Sequence, residues 1–227
     1  MVETRTVVAT PMADRLVGAV GLPLAGALVG WLARLAAGWI AELPWAPFQG
    51  VFKTIAGFSD PAATLITIAI GLAGGILLAF MAVGEWLTVT VTPTSASLAR
   101  VGESAVEIAR GEVESVFTDG KDLVLLGGQG QELARETSDI KPEPLKAAFT
   151  GHGYPWLDGG DPFRDAFRLW APGMTGLPDG ADALLAARAE AVGKGSDDDK
   201  ATYRKELLRL GVIVRDEKKH QYWRLPG

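Results

Sequence analysis

Ala62–Gly84 reads AATLITIAIGLAGGILLAFMAVG, 23 residues without one charged side chain. A bilayer core of about 30 Å takes roughly 20 apolar residues at helical rise, so this run is long enough to cross with some tilt. A helix buried in a water-soluble domain keeps a polar face, and this one has none. Pro61 precedes it, and Glu85-Trp86 close it with a charge and an interfacial ring.

Working outward, a second apolar run lies upstream. Leu16 to Ala33, LVGAVGLPLAGALVGWLA, carries no charge between Arg15 and Arg34. Leu35 extends it if Arg34 snorkels to the headgroups. The expected spans are therefore about 16–35 and 62–84, inside a membrane domain of residues 1–86. Pro23 removes a backbone donor early in the first span, and a kink or a neighbouring helix must absorb the loss. Residues 1–14 read as a tail. The connector 43–60 holds Trp45, Phe48, Phe52 and Phe58 with two prolines, a composition suited to the bilayer interface, and 51–58 suit a short interfacial helix.

Each span carries one small-xxx-small step, Gly26 to Gly30 and Gly71 to Gly75, at matching depth. Glycines let membrane helices approach closely, so these four are the expected packing residues of an antiparallel hairpin.

The chain beyond 86 is polar enough to fold in water. LTVTVT at 87–92 alternates and is β-branched, a strand. Strand-like pieces follow at 97–101, 105–110, 113–118, 123–127 and 132–136, with the hairpin signal Asp119-Gly120 among them. Pro142 to Phe149 reads as a helix opened by prolines. Short antiparallel strands closed by one helix give a small split barrel of the pleckstrin-homology (PH) kind over 87–150. Residues 151–181 read as a linker. In it Phe163, Phe167 and Trp170 recur at helical spacing and predict a short helix over 162–170. The tail, 182–227, reads as two helices followed by a β-hairpin. Asp198 or Asp199 caps the second helix, Gly211 ends it, and 216–220 form a charged turn. The fold class is thus a membrane helical hairpin joined to a soluble α+β part.

Composition narrows the chemistry. The chain has 227 residues, a net charge of −5, no cysteine and two histidines. That excludes disulfides, thiolate nucleophiles and cysteine-type zinc sites. No phosphate loop is present, since the Gly127-Gly128-Gln129-Gly130 turn lacks a following helix. Asp197-Asp198-Asp199 lacks the alternate spacing of a calcium loop. No catalytic, cofactor or metal residue is expected, nor a small-molecule substrate. Residues 87–150 carry six Lys and Arg against ten Asp and Glu, which argues against a phosphoinositide site. Residues 183–227 carry ten against seven and are mildly basic.

Two resemblances add to this. Leu210-Gly-Val-Ile-Val-Arg-Asp216, followed by Trp223-Arg224 and preceded by Arg204 and Leu207, resembles the C-terminal anticodon-binding domain of cysteinyl-tRNA synthetases. Lys205 and His220 depart from that pattern. The resemblance implies RNA contact by Arg204, Arg215, Trp223 and Arg224, and nothing of the synthetase's catalysis. The whole layout, two spans, a small β domain and this tail, resembles the bacterial two-pass membrane proteins of the YqeB family, whose middle domain is PH-like. That implies location in a bacterial cell membrane and no activity. The readings of function are a membrane-tethered scaffold for other proteins and, as the alternative, a tethered binder of tRNA-like RNA. Arg5, Arg15 and Arg100 flank the spans on one side, against Lys53 and Arg34 on the other, so both termini are expected in the cytoplasm.

Overall fold

The computed structural model describes residues 4–227 apart from 46, 48, 58, 60, 85 and 219. Phe48, Phe58, Glu85 and the first three residues of the expected tail lie outside the described residues. The chain divides into two compact units. One is Ala9–Thr88 with Ala99–Ser104; the other is Met1–Val8, Val89–Leu98 and Ala105–Gly227.

The first unit is helical. Helix α1 (Met12–Leu16), a π-helical stretch (Val17–Gly21) and α2 (Leu22–Glu42) run on as one 31-residue helix. The wide turn lies just before Pro23. A proline removes an N–H and crowds the carbonyl one turn back, and a π-turn is one way a helix accommodates it. Helix α3 (Gln49–Gly57) follows. Its Gln49 amide donates to the Leu43 carbonyl at 2.6 Å, near the α2 end, where carbonyls lack helical partners. Helix α4 is Ala62–Gly84. The 31-residue helix and α4 are both long and apolar enough to cross a membrane, and their large apolar side chains are exposed along most of their length. Arg15 lies over the Trp86 ring at 5.4 Å.

The glycines sit where α2 and α4 touch. A Cβ on Gly26 would fall on the Gly71 carbonyl and lie 3.1 Å from Gly75 Cα. One on Gly30 would meet the Thr67 carbonyl, and one on Gly71 the Gly26 carbonyl. One on Gly75 would lie 2.8 Å from Pro23 Cα. All the blocking atoms are backbone, which cannot rotate away. Nearby, the buried Thr67 hydroxyl is satisfied by donating back to the Ala63 and Thr64 carbonyls. Gly71→Leu is expected to force the helices apart and lower stability in detergent by about 1–3 kcal/mol or more. A melting curve in detergent reads this, and an unchanged midpoint contradicts it.

The second unit is built on sheets. A four-stranded sheet has the order β1 (Thr6–Ala9), β2 (Leu87–Val91), β3 (Ser95–Arg100), β4 (Val106–Ala109). Residues 6–9, read from sequence as tail, are thus its edge strand. In β2 the burial alternates, with Leu87, Val89 and Val91 inward. A separate three-stranded sheet holds β5 (Ser115–Asp119), β6 (Asp122–Leu126) and β7 (Glu132–Thr137), all antiparallel. The two sheets do not close into a barrel among the described residues, which corrects the split-barrel expectation. The outer edge of β5 is already taken: Val116 donates to Pro155 and accepts from Leu157, each at 2.8 Å. Helix α5 (Pro142–Gly151) buries Leu145, Ala148 and Phe149, and Phe149 meets Tyr154 edge-on at 5.3 Å.

The 162–170 helix is also corrected. That stretch is a 3-10 turn, Arg164–Ala166, followed by the two-residue strand β8 (Arg168–Leu169). Phe163 and Trp170 are drawn to different partners, described below, rather than to one face. Helices α6 (Ala181–Lys194) and α7 (Asp197–Arg209) follow. The N-cap position of α7 is Ser196, two or three residues ahead of the expected aspartates, with its hydroxyl on Asp199 at 2.8 Å. At the C-terminus Gly211 takes φ 73°, its N–H reaches Leu208, and the Val212 N–H reaches Leu207. This is a Schellman closure, with Leu207 and Val212 sharing one core. Strands β9 (Ile213–Glu217) and β10 (His220–Arg224) pair antiparallel, with β10 central between β8 and β9.

Candidate functional site

Three of the four residues singled out in the tail, Arg204, Arg215 and Arg224, converge on one place, the seam between the β5–β7 sheet and the tail. They meet protein there. Arg204 on α7 grips Glu132 on β7: both carboxylate oxygens lie 2.7 Å from Nη2, and Nε adds a bond at 3.2 Å. Its Nη1 donates to the Val214 carbonyl at 2.9 Å. The Glu132 side chain is 1% exposed and takes a further bond from Arg135 Nε at 3.1 Å. Arg135 also bonds Asp119 at 3.0 Å and Asp122 at 2.9 Å. Burial pulls its guanidinium down, but the carboxylates of Glu132 and Asp122 outweigh that and hold its pKa above the ordinary arginine value. Arg215 reaches Asp119 at 3.4 Å.

Arg224 is 3% exposed. Its Nη2 donates to the Gly130 carbonyl at 2.7 Å, and its guanidinium lies 4.5 Å from the Phe163 ring centre and 5.3 Å from that of Phe167. Gly130 takes φ 69°, and a Cβ there would meet the Phe163 ring at 2.7 Å, so both conformation and space call for glycine. The Gly227 N–H closes the seam on the Gln129 carbonyl at 2.9 Å.

Trp223 is buried in the tail's own core with Ala181, Leu185, Leu207, Val212 and Val214, and is 3% exposed. At that exposure it offers no ring face to a base. Trp170 packs on the same core and donates its indole N–H to Asp182 at 2.9 Å. Sequence reasoning missed a second buried fork. Arg188, 3% exposed, donates to both oxygens of Asp216, at 2.6 and 2.8 Å, and to Gln221 at 3.0 Å. Gln221 in turn donates to the Leu185 carbonyl at 2.7 Å. An arginine inside an alanine-rich helix looks like any solvated one, and only an apolar face around it would have signalled burial.

Chemically, the seam is an ion-pair network. Its carboxylates accept from guanidinium groups, and Asp122 also accepts from the Thr137 hydroxyl at 2.7 Å. No group of three or more acidic or histidine side chains is disposed to hold a metal among the described residues.

The fold and seam define a class: a mixed helix-and-sheet protein with two long apolar helices, a PH-type sheet region and a docked helical tail. A family model described as YqeB-like bacterial PH domain matches residues 6–157. One described as cysteinyl-tRNA ligase anticodon binding domain matches residues 174–224. Over 203 residues the chain is 39% identical to the uncharacterized protein YqeB of Bacillus subtilis (strain 168), covering 89% of this chain and 84% of that one. The chain belongs to the YqeB family. Neither matched domain is a catalytic one by its description, and no solved structure matches. The first match begins at Thr6 and takes in β1 and both long helices.

Proposed function

We propose that this chain is a two-pass protein of the bacterial cell membrane whose soluble unit is a binding platform for other proteins. The apolar helices support the membrane part. Leu24, Leu28, Leu35, Ile70, Leu77 and Phe80 are all more than half exposed, which water would not tolerate over such an area. β1 precedes the first long helix and β2 follows the second, and the two are neighbours in one sheet. An even number of crossings satisfies that arrangement. The arginine bias around the helices favours the cytoplasm for both termini.

The observation that carries the platform reading over RNA binding is the fate of the four tail residues. Arg204, Arg215 and Arg224 are engaged by Glu132, Asp119 and Gly130, and Trp223 is core. Phosphate contacts would have to break these bonds first. The test is a pull-down through a tag after Gly227 from inside-out membrane vesicles, with and without nuclease. The tag should be accessible in these vesicles and protected in right-side-out ones. Co-purifying proteins should survive nuclease. Loss of every partner on nuclease treatment favours the RNA reading, and a tag exposed only on right-side-out vesicles reverses the topology.

A further inference from the structure

A groove of about 500 Å³ lies among the three helices of the first unit, lined by Gly30 and Ala33 of α2, Val51 and Ile55 of α3, and the stretch from Ala63 to Gly71 of α4. Helix α3 leans on α2, where Gln49 donates to the Leu43 carbonyl, and touches α4 little. A wedge is left open between α3 and α4. Its floor is the glycine contact of α2 with α4, where Gly30 and Gly71 offer no side chain to fill it and have no room for one.

The groove asks for no polar partner. Its two hydroxyls are satisfied inside their own helices, Thr54 on the Gly50 carbonyl at 3.0 Å and Thr67 on the Ala63 and Thr64 carbonyls at 3.1 Å. No charged side chain lines it among the described residues. An apolar void of this kind stays dry, and its walls lack dispersion partners until a hydrocarbon enters. The rim residues Val29, Val51, Ile66 and Ile70 are exposed and run on into the apolar lateral surface of the long helices. From Ala63 to Gly71 the groove follows α4 for about 12 Å at helical rise, close to one leaflet of a hydrocarbon core about 30 Å thick. On α3, Val51, Thr54 and Ile55 face the groove, whereas Lys53 falls on the opposite side by helical spacing and is exposed. A helix lying at the bilayer boundary has this arrangement, with its apolar stripe inward and its cation at the level of the phosphates.

We propose that the groove holds one acyl chain of a membrane phospholipid, wedged between α3 and α4. The proposal rests on the membrane reading given above. A flexible hydrocarbon chain fills the wedge without needing a hydrogen bond, and the Lys53 charge suits the phosphate of the same molecule. A helix of a second copy, about 10–12 Å across, needs roughly twice this volume over the same length.

The test uses the full chain. Membranes are first washed in alkaline carbonate, and the chain should stay in the pellet. Its release overturns the membrane reading and this proposal together. Chain purified from the pellet in mild detergent is delipidated and mixed with dioleoyl phosphatidylglycerol, and bound lipid is counted by native mass spectrometry. The wild type should hold one lipid. Val51→Trp, which fills the groove from an exposed position, should bind about tenfold more weakly or worse. Ala33→Phe fills it from the α2 side and should do the same. Leu77→Trp, exposed but outside the groove, should bind as the wild type does. Added lipid should raise the melting midpoint of the wild type and of Leu77→Trp, and leave that of the two filled variants unchanged. Equal binding by all four proteins overturns the proposal, as does a wild type that stays in the pellet yet holds no phospholipid. Oleic acid bound in preference to the phospholipid overturns the source, and a dimer in place of the lipid adduct assigns the groove to a second copy instead.

Discussion

Glu132→Ala is expected to destabilise the soluble unit by about 3–5 kcal/mol, the usual cost of removing one partner from a buried ion pair. The carboxylate is nearly inaccessible and serves two guanidinium groups, Arg204 and Arg135. Their fates differ after its loss. Arg135 keeps Asp119 and Asp122, whereas Arg204 keeps only the Val214 carbonyl. The penalty should therefore fall on the α7 side of the seam. Glu132→Gln keeps the shape and removes the charge, so it should cost less. Replacing Arg204 by methionine as well should recover part of the loss, because the stranded charge goes with it. Denaturant unfolding of the wild type, Glu132→Ala, Arg204→Met and the double variant measures the coupling. Additive losses would mean that the seam pair contributes nothing as a pair.

The same residue marks a limit on what sequence can tell. Glu132 and Arg204 are 72 positions apart, and nothing local distinguishes them from surface charges. By contrast, 23 uncharged residues announce a long apolar helix unaided, and LTVTV announces β2 by alternation. Gly211 was legible as a helix end because only a left-handed residue closes a Schellman turn cheaply. Strand β1 was not legible. TVVA is four residues long, and its partner β2 begins 81 positions after Thr6, beyond two long helices. The helical spacing of Phe163, Phe167 and Trp170 misled for a related reason. The rings answer to Arg224, Gly130 and the tail core, and these long-range partners override a local period. The open sheets follow the same rule, since residues 155–157 claim the β5 edge that a barrel would have needed. Arg204, Arg215, Trp223 and Arg224 do gather at or beside one seam, and their partners are protein groups.

Trp223→Ala is expected to cost about 3–5 kcal/mol, the range for emptying a buried large aromatic site. Trp223 stands on the central strand of the tail's sheet and fills a core whose other members are smaller: Ala181, Leu185, Leu207, Val212 and Val214. No other buried aromatic shares that cluster, although Trp170 packs on its margin. A domain of some 50 residues, at roughly 0.05–0.15 kcal/mol per residue, has about that much stability in all. Melting of the tail should follow, seen as early proteolysis within 181–224 and loss of the near-ultraviolet signal, while the long apolar helices persist. Trp223→Phe keeps a ring and should lose much less. The two variants separate a core role from a contact role. A contact tryptophan, stacking on a base, would lose about 1–3 kcal/mol of RNA affinity on truncation and leave the fold alone. If Trp223→Ala melts with the wild type yet loses affinity for an RNA, its core assignment fails and the RNA reading of the tail returns.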